Sequence, residues 1–300
     1  MDREKEIYKV TLVGSAVNVL LTVFKFVAGV LGHSAAMVAD AVHSLSDLLT
    51  DAVVIIFVHI SGKPADSGHD YGHGKYETLA TALIGIALLA VAGGIIANAV
   101  QNMLRWYHGE DLAAPGMLAL WAALISILLK ELTYQYTVRR GRKLQSQAVE
   151  ANAWHHRSDA FSSIGTLVGI GGAILLGKRW TVLDPLASLV VGIFIIVTAA
   201  KLLKQSIGEL MEASLPPEVE KEILDIVNGI PGISDPHNLR TRRIGSHYAI
   251  ELHIRMDGDL PLIQAHSRAH DVEKALKERF GPDTHVVVHF EPVKQKASTE

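Results

Sequence analysis

Six stretches of this 300-residue chain are long and apolar enough to cross a bilayer as helices, and nothing else limits its fold as much. A helix needs about 20 mostly apolar residues to traverse the hydrocarbon core. The windows run roughly Val10–Leu31, Ala35–Ile60, Thr78–Met103, Ala113–Leu132, Val149–Leu176 and Val182–Leu203. The apolar content, 49%, is near normal for a soluble protein; its distribution is not. The expected fold class is therefore a membrane α-helical domain of six transmembrane helices over residues 1–208. A small cytoplasmic α+β domain over residues 209–293 and a disordered tail over 294–300 complete the expectation.

Charge divides the same way. Residues 1–208 carry 17 Lys and Arg against 15 Asp and Glu, whereas 209–300 carry 11 against 16. A mildly acidic second part argues against nucleic-acid binding, which needs a basic face. Loop charge sets orientation in the lipid bilayer. Arg3, Lys5, Lys9, Lys63, Lys75, Arg139, Arg140, Arg142 and Lys143 fall on one side, Arg105, Lys178 and Arg179 on the other. Both termini are thus expected in the cytoplasm of a multi-pass protein of the inner (cytoplasmic) membrane. Asp184-Pro185 reads as N-cap and first residue of the sixth span. Lys25, Lys130, Lys201 and Lys204 are expected to reach the interface from span ends.

The second and fifth windows are not purely apolar. Asp40, His43, Asp47 and Asp51 follow spacings of three, four and four, which place them on one stripe of a helix. In AWHHRSDAFSS, His155 and Asp159 share a face while His156 points elsewhere. Ionisable groups at bilayer depth cost several kcal/mol unless paired, hydrated or metal-bound. His43, Asp47, His155 and Asp159 together offer two nitrogens and two oxygens, a set suited to tetrahedral Zn²⁺ at about 2.0–2.2 Å. Their two negative charges would leave the filled site neutral. Asp40 and Asp51 read as hydrated pathway residues, and His59 as interfacial. With no Cys in the chain, disulfides and thiolate sites are excluded, and imidazole and carboxylate are the remaining ligands.

After the second window, PADSGHDYGHGKYE places Asp66, His69 and His73 at three- and four-residue spacing. On spacing alone this reads equally as a polar loop or a second site, with Asp70 as the alternative carboxylate. Beyond Pro216 the periods suit a soluble unit: helices at Pro217–Gly229 and Pro261–Phe280, strands at His237–Ile244, Tyr248–Met256 and Thr284–Phe290. The α-β-β-α-β order is similar to metallochaperone-like domains. His285-Val-Val-Val-His289 reads as a buried strand.

HSLSD at His43–Asp47 and HHRSD at His155–Asp159 resemble the paired HxxxD motifs of the cation diffusion facilitator family. The six-span plan, the Pro64–Lys75 loop and the His-bearing tail match it too. The resemblance implies a homodimeric exporter of divalent metal ions against protons. It implies a loop site at Asp66, His69 and His73. It implies zinc in the tail on His237, His253, His266, His289 and Glu291, where relatives more often have Asp at the last position. It also implies a charge interlock between Lys75 and Glu212. The bacterial zinc/iron exporters nearest in layout have Asp where this chain has His43, and His there goes with zinc preference. Imidazole softness points the same way. Zn²⁺ binds only neutral imidazole and ionised carboxylate, so metal and protons compete for the same atoms. Tail zinc would sense and regulate. No HExxH occurs, which argues against an intramembrane zinc protease. Export of iron, cobalt, cadmium or manganese, and a non-transporting metal-sensing scaffold, remain as alternatives.

Overall fold

The computed structural model describes residues 3–61, 63, 65–143, 147–245 and 247–293. Side chains are described for these except 3–5, 7, 8, 50–61, 147, 148, 150–152, 155, 158 and 162. The expected tail, 294–300, lies outside the described residues. The chain divides into two compact units, residues 1–52 with 83–202, and residues 53–82 with 203–300.

The first unit takes α1 (Arg3–Leu31), the greater part of α2 (Ala35–Ser61) and of α3 (Lys75–Tyr107), α4 (Met117–Lys143), α5 (Gln147–Leu175) and the greater part of α6 (Leu183–Leu210). Among the described residues four helical stretches are long and apolar enough to cross a membrane: Lys9–Leu31, Lys75–Tyr107, Met117–Lys143 and Lys178–Leu210. The helices overrun their apolar windows because charge at a membrane boundary does not end a helix. α4 thus continues 11 residues beyond Leu132, the expected end. Large apolar side chains such as Leu20, Leu128 and Val168 are exposed, which suits lipid rather than water.

Small residues bring the helices together. One core joins Ala28, Ala36, Met37, Ala119, Ala122, Ala123 and Ile170; another joins Ala39, Leu88, Ala92, Val191, Ile195 and Ala199. A side chain at Gly29 would stand 2.8 Å from the Val38 backbone nitrogen, so only glycine lets α1 and α2 approach this closely.

Two sequence expectations fail here. Asp184 is not the N-cap of α6, which begins one residue earlier; its carboxylate accepts from Ser34 Oγ at 2.5 Å and from Ala35 N at 2.7 Å. It therefore caps α2, because the free N–H groups at a helix start accept any well-placed anion. Lys25 and Lys130 do not reach an interface: they are 0% and 2% exposed.

In the second unit, β1 (Ser234–Ile244) pairs antiparallel with β2 (His247–Met256), and β2 pairs parallel with β3 (His285–Pro292). With α7 (Pro217–Asn228) and α8 (Leu262–Phe280) this gives the expected α-β-β-α-β order. Alternation along β2 sends Ile250, Leu252, Ile254 and Met256 into a core with Ile223, Val227, Val272 and Leu276 of the two helices. The intervening residues, His253 among them, lie on the opposite face. β3 is not a buried strand: it is an edge whose residues alternate between exposed and half-buried.

Candidate metal centre

In the helical unit, α2 and α5 bring ligands together. One ligand atom each of His43, Asp47 and Asp159 lies within 4.8 Å of the others. Asp159 is buried, and His43 and Asp47 are half-buried. The imidazole Nδ1 of His43 is buried with no hydrogen-bond partner among the described residues. Ser46 Oγ donates to the His43 carbonyl at 2.6 Å, tying the polar stripe to its own helix. The side chains of His155, Asp51 and His59 lie outside the described residues. His156 is buried toward α1, with Nδ1 3.5 Å from Asn18 Nδ2. His43 and Asp159 line one end of a cavity of about 630 Å³ whose walls include Val168, Leu186, Val190 and Phe194.

Two buried lysines accompany these acids. Lys130 Nζ lies 3.1 Å from Asp159 Oδ2. Lys25 Nζ lies 2.7 Å from Asp40 Oδ2 and donates to Ser44 Oγ and Ser163 Oγ at 3.2 and 3.0 Å. Ser163 Oγ in turn donates to Asp40. Asp40 is thus an ion-pair partner rather than a hydrated pathway residue. Sequence reasoning missed both pairs. The apolar window stops at Leu132 and so sets Lys130 at a span end, yet Lys130 sits 13 residues from either end of α4.

The loop in the second unit is organised by Asp66. Its Oδ1 accepts from Gly68 N at 2.9 Å and His69 N at 2.8 Å. Those backbone donors, Gly68 first, hold the carboxyl below the usual carboxylate range. His69 Nδ1 and His73 Nε2 stand 3.4 and 3.5 Å from its two oxygens. His73 Nδ1 is buried without a hydrogen-bond partner among the described residues. Asp70 is exposed and outside this group. Lys75 pairs with Glu212, which also takes Arg242 Nε at 2.9 Å.

A third group crosses the sheet. Register sets His237 opposite His253 and His253 beside His289, one row over three strands on the face away from the core. Ring centroids are 5.4 and 4.5 Å apart along it. Glu291, two residues past His289 on the same face, lies 3.1 Å from His253 Nδ1, 3.5 Å from His237 Nε2 and 3.9 Å from His289 Nε2. The hydrogen bond from His253 holds the Glu291 carboxyl below its ordinary range. His266 is not brought to this row; it is exposed on α8, which packs on the sheet's other face.

Residues 11–211 match the cation efflux transmembrane domain, and residues 215–293 match the cation efflux protein cytoplasmic domain. The chain belongs to the cation efflux, or cation diffusion facilitator, family. This cation efflux protein is 36% identical to Metal tolerance protein C1 of Arabidopsis thaliana, over 95% of its own length and 62% of that protein's. It is 31% identical to the manganese efflux system protein MneP of Bacillus subtilis, over 97% and 98% of the two chains. It is 32% identical to the cation-efflux pump FieF of Salmonella arizonae, over 95% and 92%. It is a membrane transporter that exports divalent metal cations, and not an enzyme.

Proposed function

We propose that this protein is a zinc/proton antiporter of the cytoplasmic membrane that exports Zn²⁺ by alternating access. The observation that carries the reading is the convergence of His43, Asp47 and Asp159, with one ligand atom of each within 4.8 Å of the others, in the helical unit. His155 lies one helical turn before Asp159 in sequence, and adding it to the proposal makes the set N₂O₂, as suits zinc. Every member of that set takes a proton, so metal entry releases protons and proton return releases metal. Rigid movement of helices about the site would expose it to either side in turn.

The loop group and the row on the sheet are proposed as resident zinc sites. Both offer imidazole nitrogens with one carboxylate oxygen, the donor chemistry zinc takes, and His73 Nδ1 and the ionised Glu291 fit that use. Bound metal there would draw two copies into a homodimer. Six spans, both termini in the cytoplasm, and boundaries at residues 208 and 293 belong to the same reading.

The test is metal uptake into everted vesicles under an imposed pH gradient. Parent protein is expected to accumulate Zn²⁺ against protons, and Asp47→Ala and Asp159→Ala to abolish uptake; undiminished uptake in either variant removes the site assignment. Manganese is the second reading, favoured by the likeness to a protein named for manganese efflux. Faster Mn²⁺ than Zn²⁺ uptake by the parent would establish it.

A further inference from the structure

One carboxylate of the transport site is already engaged by a cation of the protein's own. Lys130 Nζ stands 3.1 Å from Asp159 Oδ2, and both residues are buried. Beside it, Lys25 and Asp40 form a second pair, closed by Ser44 and Ser163. Lys25 and Asp40 cancel. Asp47 and Asp159 cancel a dication. Among the described side chains, Lys130 then adds one positive charge to a filled ligand set that alone would be neutral. In surroundings of low dielectric constant, that charge opposes the metal strongly over a few ångströms. Without a dication the same ammonium offsets the charge of Asp159, whose oxygen lies within 4.8 Å of one from Asp47.

We propose that Lys130 is an internal counter-cation of the transport site: it holds Asp159 while the site is empty and yields that oxygen to an arriving dication. It thereby weakens binding enough for release, since a site that must pass its ion on cannot hold it too tightly. Ser126 lies one turn before Lys130 on the buried face of α4, and its hydroxyl has no hydrogen-bond partner among the described residues. It is a waiting acceptor for the displaced ammonium. Lys25 does not share this role, because its carboxylate, Asp40, lies outside the ligand group. The inference rests on reading His43, Asp47, His155 and Asp159 as the transport site.

The experiment compares the full-length parent with Lys130→Gln, Lys130→Arg and Asp159→Asn. Calorimetry in detergent, fitted to separate classes of site because the loop and sheet groups are also proposed to take zinc, gives for Zn²⁺ alone and Mn²⁺ alone the Kd of the class that Asp159→Asn is expected to remove, and proteoliposome flux gives KM and kcat. Gln keeps a donor for Asp159 but drops the charge. Its Kd is expected to fall at least tenfold, with KM falling and kcat falling together as release slows. Arg restores the charge and a Kd within threefold of the parent. A Gln variant that folds and binds no tighter than the parent overturns the proposal. In the parent itself, the Lys130 Nζ resonance, assigned by its loss in the Arg variant, should shift when Zn²⁺ is added; an unmoved signal overturns the proposal whatever Gln does to folding. Asp159→Asn separates the two readings. If every parental class of site survives there, the transport site and the counter-cation fall together, whereas loss of one class with an unchanged Gln Kd defeats only the counter-cation.

Discussion

Lys25 with Asp40, and Lys130 with Asp159, are buried in the helical unit as partners rather than as isolated charges. Lys25 and Asp40 show the energetic side of this. Removing one member of a buried pair leaves an uncompensated charge and costs about 3–5 kcal/mol. Lys25→Met is therefore expected to lower the thermal unfolding midpoint of the purified protein, with Kd for Zn²⁺ changed far less than midpoint. His43 carries the selectivity argument. Substituting Asp exchanges a borderline nitrogen for a hard oxygen, so His43→Asp should raise the flux of Mn²⁺ relative to Zn²⁺. A ratio that does not move would separate selectivity from this position. At this scale the convergence of His43 and Asp47 was legible because i, i+4 spacing is a property of sequence. The lysine pairs were not: Lys130 reveals its depth only once α4 is seen to run on past Leu132 to Lys143.

At the scale of elements, periodicity decided most of what could be read in advance. Apolar alternation in β2 identified the strand, and the same alternation puts His253 on the face away from Ile250, Leu252 and Ile254. Leu252→Ala empties a fully packed site between the sheet and its helices, and is expected to cost about 2–5 kcal/mol in unfolding of that unit. The lateral row His237–His253–His289 was beyond sequence reasoning, since pairing order and register are set by the whole sheet. Asp184 was misread for a related reason: local pattern names a capping residue without naming the helix it caps. Glu291 allows a pH test. Its carboxyl titrates lower when folded than when unfolded, so its contribution is present above about pH 4.3 and is lost as pH falls through the folded value. The unfolding midpoint of Glu291→Gln should lie below the parent's at pH 6, and the two should converge in acid. A tight turn supplies one more case. Gly245 has φ +59°, and a side chain there would meet the Gly74 carbonyl at 2.7 Å. Gly245→Ala should therefore loosen the β1–β2 turn from the Asp66–His73 loop, seen as faster hydrogen exchange in both segments.

For the molecule as a whole, charge divides the chain near residue 208, whereas the compact units also join residues 53–82 to 203–300, a grouping that charge alone does not contain. The family match then covers both parts in order. If bound metal joins two copies, light scattering of the full chain with Zn²⁺ should give twice the 32.5 kDa chain mass, and His237→Ala with His253→Ala should shift the equilibrium toward single chains. The Asp184 cap has its own reach across the helical unit. The footing of α2 is supplied by a carboxylate that belongs to α6, about 13 Å along the axis from His43 at a rise of 1.5 Å per residue. Asp184→Asn would leave His43 and Asp47 unaltered yet fray the first turn of the helix that carries them. A damaged foundation of that kind would register in a transport assay as poor metal affinity, far from the residue actually altered.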